Sequence, residues 1–404
     1  LLFAYAMFQG GFVSWFLFFS FAPILLYHLG LLFYPISSWH VTRRIEQNNV
    51  RSGNNVKLTI TMTRKLPFPL YYCIVEELLP RSLNMADIGI QKYTYLNRPD
   101  ELRVHRVQKK VVFPWFKRVI HVPYQISQVP RGIHELNQIR IRTGDIFGFV
   151  RKEHIFSVKD RLQVLPSVRK IVKHDRASLY VDGTAVSQTA PFKQTNTVTG
   201  IRDYVPGDRF SWINWKQTAR KQALMTKEFE LERQKQTLII SNHCYEQVPN
   251  PLAFEAVVEV TLSLFKKMQR QSSSLYLLSI GKTTTSFSVD QVGKQQALMN
   301  HLLTAKPVKS STFIQQVNES LPHVNNNDDI LIVTSELNPR MLQFSPFVLG
   351  KARRVTLYWI KSESALAPAD HTLMEEFIRK GFDICLLSEQ PLTKEPIEVT
   401  SYGK

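Results

Sequence analysis

The sequence predicts a multi-domain chain: N-terminal transmembrane helices, an all-β sandwich-like domain, and a C-terminal α/β doubly wound domain. Three observations carry this prediction. Residues 1–34 contain no Asp, Glu, Lys or Arg. From about residue 40 to 165, short alternating runs recur between turn residues at about ten-residue spacing. Beyond residue 236, continuous apolar runs alternate with segments of helical period. The length of 404 residues allows two or three domains, and 44% hydrophobic against 21% charged residues excludes wholesale disorder.

The N-terminal region, residues 1–36, is read as a helical hairpin. Leu1–Tyr34 as one helix would be about 51 Å long, against about 30 Å of bilayer hydrocarbon. Gly10-Gly11 is the natural break. Leu1–Gln9 then ends a first membrane helix whose beginning is missing, and the leading Leu predicts a fragment of a longer product. Phe12–Tyr34 is the second span, with Trp15 and Tyr34 at interfacial depth and Pro23 tolerated inside the membrane. A signal peptide would need a basic n-region and a small-residue cleavage site after Tyr34, and the chain has neither. Arg43, Arg44, Arg51 and Lys57 follow the span, so the positive-inside rule places everything after residue 40 in the cytoplasm. The protein is therefore expected to be integral to the cell membrane. Cys73, Cys244 and Cys385 are widely spaced, which excludes a disulfide framework and fits a reducing compartment.

The second domain spans 40–165. Val56–Met62 alternates after a turn at Ser52–Asn55, and Leu66-Pro67-Phe68-Pro69 interrupts any helix. Arg103–Phe113 and Val119–Ile126 flank Pro114-Trp115, which predicts a hairpin. His134–Arg142 is a further strand, opened by Arg131-Gly132 and closed by Thr143-Gly144-Asp145. The net charge of +18 calls for an anionic partner, nucleic acid or a membrane surface. The aromatics Phe113, Trp115 and Phe116 gather at a turn instead of alternating as base-stacking platforms do. The basic 103–118 stretch is therefore read as the solvated side of a sheet near an anionic bilayer, with no nucleic-acid partner.

The last domain, 236–404, has apolar strands at Thr237–Ser241, Leu275–Ile280, Asp329–Thr334, Val355–Ile360 and Phe382–Leu387. Helical segments fall at Leu252–Met268, Gln291–Leu303 and His371–Lys380. Ligands of doubly wound sheets sit beyond the carboxyl ends of the strands. Ser241–Glu246, Ser335–Asn338 and Lys361–Ser364 are thus the expected functional rim.

Between the domains, 166–235 holds a linker and a signature segment. Val205-Pro206-Gly207-Asp208 is a well-formed turn, followed by Trp212, Trp215, Lys216, Arg220 and Lys221, then by the alternating Leu224–Leu231. Arg202, Asp203, Asp208, Arg220 and Glu232 are expected to form an ionic network around the two indoles, pinning the domain junction. Arg202, Tyr204, Pro206, Gly207 and Asp208, then Ile213, Trp215, Lys216, Ala219 and Arg220, then Lys227, Phe229, Glu230, Glu232 and Arg233 follow one pattern. The segment resembles the signature of the bacterial domain-of-unknown-function-58 family, the YeaD-like membrane proteins. One departure is Phe210-Ser211-Trp212, where that family has an Arg ahead of the Ile-x-Trp element. The resemblance extends to Pro130-Arg131-Gly132, to Thr143–Gly148 and to the paired N-terminal helices.

The resemblance implies a C-terminal domain like von Willebrand factor type A. It also implies the company of MoxR-type AAA+ ATPases and transglutaminase-like proteins. Type A domains commonly hold Mg²⁺ at D-x-S-x-S, but Ser241-Asn242-His243-Cys244-Tyr245 stands there without a carboxylate, so no metal and no cofactor are expected. His243-Cys244, Gly281-Lys282-Thr283 and the trio Glu228, Glu230 and Glu232 are weak catalytic motifs at these spacings. The expectation is a cytoplasm-facing scaffold that binds a protein partner, such as a MoxR-type AAA+ ATPase. It would do so through Arg202, Tyr204, Pro206, Gly207, Asp208, Trp215, Lys216, Arg220, Glu230, Glu232 and Arg233. The alternative is a membrane-associated hydrolase or transferase using the charged residues of 202–232.

Overall fold

Two helices form from the uncharged N-terminus in the computed structural model: α1 (Leu2–Gln9) and α2 (Phe12–Phe33). They part at Gly10, whose φ of +59° suits a residue without Cβ. The structure describes residues 2–47, 50–174, 198–206, 208, 210–229, 236–270, 274–288, 294–320, 328–344 and 352–401. By length and composition α2 is able to cross a membrane, and little of it is buried. A core helix of this apolarity would be covered by protein. One side of its end is covered: Leu31 and the following Tyr34, Ile36 and Trp39 enter the core of the next domain.

That domain is built from β1 (His40–Ile45), β2 (Val50–Arg51), β3 (Val56–Thr63), β4 (Tyr72–Leu78), β5 (Gln108–Val112), β6 (Val119–Ile126), β7 (Gly132–Gly144) and β8 (Arg151–Leu165). Among the described residues they form a three-stranded sheet, β1-β3-β6, and a five-stranded sheet, β2-β8-β7-β4-β5. Alternation along β3 buries Val56, Leu58, Ile60 and Met62 against Val75, Leu136, Ile139 and Ile141 of the facing sheet.

The hairpin expected at 103–126 does not form. β5 pairs with β4 and β6 with β3, so residues 113–118 carry the chain from one sheet to the other. Alternation tells which face a strand shows, not which strand it bonds. Glu76 lies opposite Lys109 in the observed register, a favourable cross-strand pair.

The basic flank also falls elsewhere than expected. Arg43 is buried in the sandwich, bonded to Glu77 at 2.6 Å and Asp160 at 2.8 Å, while Tyr124 Oη donates to Glu77 at 2.8 Å. Arg51 pairs with Leu165 and Lys57 with Gln125, at the end of the sandwich remote from α2.

The chain continues through β9 (Ile171–His174), β10 (Val198–Asp203), α3 (Trp215–Lys221) and β11 (Met225–Phe229). It then forms β12 (Gln236–Asn242), β13 (Cys244–Tyr245), α4 (Pro251–Met268), β14 (Ser274–Ile280), β15 (Thr284–Ser288), α5 (Lys294–Thr304) and β16 (Val308–Lys309). The last elements are α6 (Phe313–Ser320), β17 (Asp328–Thr334), β18 (Ala352–Ile360), α7 (Pro368–Arg379), β19 (Asp383–Leu387), α8 (Glu389–Thr393) and β20 (Ile397–Thr400).

Among the described residues a six-stranded sheet runs β15-β14-β12-β17-β18-β19, parallel except for the edge strand β15. Ile239, Leu277, Leu331 and Ile360 face one apolar cluster and Ile240, Leu278, Ile332 and Trp359 the other, so both faces are covered. α4 starts where Asn250 Oδ1 accepts the N–H groups of Leu252 and Ala253, with Pro251 at the first position. Part of the stretch read as linker is tied to the C-terminus, because β9 pairs with β20.

The β-sandwich and the α/β domain meet through buried ions. Arg131 grips Glu255 of α4 with two bonds of 2.8 Å and also donates to the carbonyls of Leu302, Leu303 and Ala305 at the end of α5. Glu259 of α4 accepts from Tyr93 at 2.7 Å, pairs with Arg169 and lies 3.6 Å from Lys92. Lys92 and Tyr93 belong to a 3-10 turn, Gly89–Tyr95, between β4 and β5, which the sequence pattern did not reveal.

Candidate functional site

The signature segment folds as a small module. β10 and β11 pair antiparallel, with Asp203 opposite Met225 and Ile201 opposite Lys227. Ile213, Met225 and Thr226 fill its interior. Asn214 opens α3 by accepting from Gln217, and Gln222, in the left-handed region at φ 54°, closes it. The Thr218 hydroxyl accepts the N–H of Met225, tying the helix to β11.

The turn predicted at Val205–Asp208 is held by one ion pair. Arg202 meets Asp208 through two bonds of 2.8 and 2.7 Å, and Asp208 also accepts the N–H of Val205 at 3.1 Å. The guanidinium and the Val205 amide together hold the Asp208 carboxyl below the usual carboxylate range. A carboxylate so committed is a structural clamp and is poorly placed to act as a base.

The other predicted residues divide into three groups. Trp215, Lys216 and Arg220 lie exposed on α3, with Phe210 and Val205 exposed nearby in the chain. Tyr204 is half-buried, its N–H bonded to Leu224 O, and Pro206 is exposed at the turn. Gly207, Glu230, Glu232 and Arg233 lie outside the described residues. Of the expected ionic network, the structure brings together Arg202 and Asp208, while Arg220 stands apart on the helix and Trp215 is 65% exposed. Lys216, Arg220 and Lys221 are exposed on α3 with the indole of Trp215, so the helix presents a cationic surface.

A second feature lies at the carboxyl ends of β12, β17 and β18, where the rim was expected. A cleft of about 410 Å³ is lined there by residues including His243, Tyr245, Glu246, Asn338 and Lys361. Several of its polar groups are matched to one another. Lys361 pairs with Asp370 at 2.6 Å, Asn338 donates to Glu246 at 2.8 Å, and Glu336 accepts the N–H of Glu246.

Below the cleft, His243 sits between the hydroxyls of Ser241 at 2.9 Å and Ser279 at 3.3 Å. Burial, aided by His301 and Arg131, drives its pKa down to about 3, so the ring is neutral at pH 7. Its nitrogens face serines and not Cys244, whose thiol is pushed up by burial. This geometry does not make a thiolate–imidazole pair. Asn242 is engaged at both ends of its amide, with Cys244 N–H at 2.9 Å and Thr334 Oγ1 at 3.0 Å. Among the described residues, no three His, Cys, Asp or Glu side chains gather as a metal site would require. Arg131, noted in the sequence at the start of a strand and within the family resemblance, has a role the sequence did not reveal: its contact with Glu255 binds the two domains.

Comparison with known proteins adds the following. A family model described as "Protein of unknown function DUF58" matches residues 200–354. The Bacillus subtilis (strain 168) protein described as "Uncharacterized protein YeaD" is 34% identical over 390 residues, which covers 95% of this chain and 92% of that protein. Among solved structures, the CARDB domain of a Pyrococcus furiosus protein in complex with di-metal ions shares 7% identity, covering 30% of this chain and 91% of that one, with a TM-score of 0.17. A β-glucosidase from Erythrobacter marinus shares 14% identity, covering 30% of this chain and 15% of that one, with a TM-score of 0.15. Likeness at these TM-scores carries no argument about fold or activity.

Proposed function

The chain belongs to the DUF58 family, and from that premise we propose that it is a membrane-anchored, cytoplasm-facing scaffold that docks a protein partner through its signature module. The observation that carries this reading is the exposed face of α3, where Trp215, Lys216 and Arg220 stand in a module whose helix is tied to β11 and whose turn is clamped by Arg202 and Asp208. Tryptophan and arginine are the residue types that most often dominate binding energy at interfaces. The partner proposed is a MoxR-type AAA+ ATPase. The C-terminal domain is read as von Willebrand factor type A-like, supported by the strand order β15-β14-β12-β17-β18-β19 with a single antiparallel strand at the edge. In this reading α2 spans the membrane, and the rim cleft is a second contact surface.

The test is a binding titration. The chain is reconstituted in nanodiscs and titrated with a purified MoxR-type ATPase encoded in the same genome, alongside a Trp215→Ala/Arg220→Ala variant. Loss of two interface anchors at about 2 kcal/mol or more each, about 4 kcal/mol together, should weaken binding by roughly a thousandfold. Equal binding by a variant with unchanged circular dichroism refutes the docking face, and no binding by the wild type refutes the partner.

A further inference from the structure

We propose that the α2 end of the β-sandwich is itself a lipid-binding surface, with three of its loops inserted into the leaflet from which α2 emerges. The inference rests on the reading of α2 as a membrane span. The loops are residues 64–71 between β3 and β4, 113–118 between β5 and β6, and 145–150 between β7 and β8. The strand registers put all three at one end of the sandwich: Thr63 pairs with Val119, Cys73 with Val112, Tyr72 with Gly144, and Gly144 with Arg151.

Each loop presents large apolar side chains outward. Leu66, Phe113, Trp115, Phe116, Ile146, Phe147 and Phe149 are all exposed, Phe149 by 79%. Scattered exposed apolar residues are ordinary, but seven on one end of a domain form a patch that needs a covering. The loops are firmly held from within: Arg64, 1% exposed, donates to the carbonyls of Phe68, Trp115 and Lys117, so one guanidinium fixes two of them. Asp145 fixes the third by accepting the N–H groups of Phe149 and Val150.

Contacts with α2 identify what covers this patch. Tyr27 stacks on Phe68, with ring centres 5.6 Å apart, and approaches Tyr71 equally closely. His28 bonds to Asp145 at 3.1 Å and lies against Phe147 and Phe149. Tyr27 and His28 precede the end of the helix by five or six residues, so at 1.5 Å per residue the loops reach about 8 Å below that end. The helix is about 33 Å long over its 22 residues, against about 30 Å of hydrocarbon, and cannot lift those loops clear of the membrane. Leu29, Leu32 and Phe33 are exposed on α2 at the same level. If the loops were in water, those side chains would be as well.

The charges agree with this placement. Lys65, Lys117, Arg118 and Arg151 are exposed in or beside the loops, where anionic headgroups would meet them. Lys152 donates to the carbonyls of Leu32 and Tyr34, closing the C-terminal end of α2 with a cation. The sandwich is thus seated on the bilayer with its long strands rising from it. β8, 15 residues or about 50 Å long, holds the α/β domain away from the lipid.

The test places an environment-sensitive fluorophore on single cysteines of the whole chain, reconstituted in phosphatidylcholine–phosphatidylglycerol vesicles whose acyl chains are brominated near the carbonyl end. Cys73, Cys244 and Cys385 are buried, so the added thiol takes the label. The variants are Phe116→Cys and Phe147→Cys on the loops, Phe16→Cys within α2, and Val248→Cys on the far domain. Bromine quenching at 16, 116 and 147 but not at 248 is the expected result. Quenching at 16 alone overturns the loop insertion while leaving the span intact. Quenching at none of the three overturns both. Quenching at 116 and 147 without 16 supports the loop surface and refutes the span.

Discussion

Replacing Arg131 by Ala removes one of the polar ties between the β-sandwich and the α/β domain. The guanidinium, nearly buried, makes two 2.8 Å bonds to Glu255 and further bonds to three carbonyls at the end of α5. Its loss leaves the Glu255 carboxylate without this partner and those carbonyls without this donor. Breaking a fully buried pair costs about 3–5 kcal/mol, and the 29% exposure of Glu255 moves the expectation to the lower end, about 3 kcal/mol. The cost should appear locally, as loss of coupling between the domains. Amide hydrogen exchange read by mass spectrometry would follow residues 294–304 of α5, 251–268 of α4 and 131–136 of β7. Faster exchange is expected in all three, by about two orders of magnitude in α5. Exchange in the membrane-end strands should not change. Glu255→Gln should cost less than Arg131→Ala, because the amide oxygen still accepts one guanidinium bond. The reasoning fails if Arg131→Ala alters exchange at α5 by less than about fivefold, which corresponds to about 1 kcal/mol.

Three further outcomes follow from the geometry. His243 is held neutral, with its pKa lowered to about 3 by burial, then by His301 and Arg131. The unfolded chain protonates it near 6.5, so stability should rise with pH between about 3 and 6.5 by up to about 4–5 kcal/mol, and His243→Asn should flatten that limb in urea titrations of the α/β domain. Glu259 is lowered: burial alone would raise it, but Lys92 and Arg169 more than offset that. Its contribution is therefore present above the unfolded value of about 4.5 and is lost as pH falls through the folded one, and Glu259→Gln should be less stable at pH 7 than at pH 4 relative to wild type. At Gly144 a Cβ would come within 2.6 Å of Val150 O and 2.7 Å of the Tyr72 hydroxyl, so Gly144→Ala should destabilise the β7–β8 turn by about 1–3 kcal/mol, measured as a lower urea midpoint.

Much of this architecture is legible in the sequence because the burial patterns are simple. The uncharged N-terminus breaks at Gly10 as composition requires, and the strands of the parallel sheet read as continuous apolar runs because both faces are covered. The strand partners of 108–112 and 119–126 were not legible, since alternation is the same in a hairpin as in two facing sheets. The 3-10 turn carrying Lys92 and Tyr93 has no periodicity to announce it, and its role appears only when Glu259 is brought beside it in space. At the signature segment, Arg202 and Asp208 are close in sequence and their clamp is readable from the turn. The exposure of Trp215 is not readable, because an indole three residues from another suggests a core as readily as a surface. The membrane-facing loops share that difficulty: Phe113, Phe116, Phe147 and Phe149 are far apart in sequence and meet only at one end of the sandwich.

The central claim is that the signature module is the partner-facing part of a membrane-anchored scaffold. Its most direct test is an amide-exchange footprint of a purified MoxR-type ATPase on the chain in nanodiscs. Protection is predicted at 201–206 and 215–221, with none at 113–118 or 145–150. Protection confined to the membrane-end loops, or no protection at saturating ATPase, would contradict it.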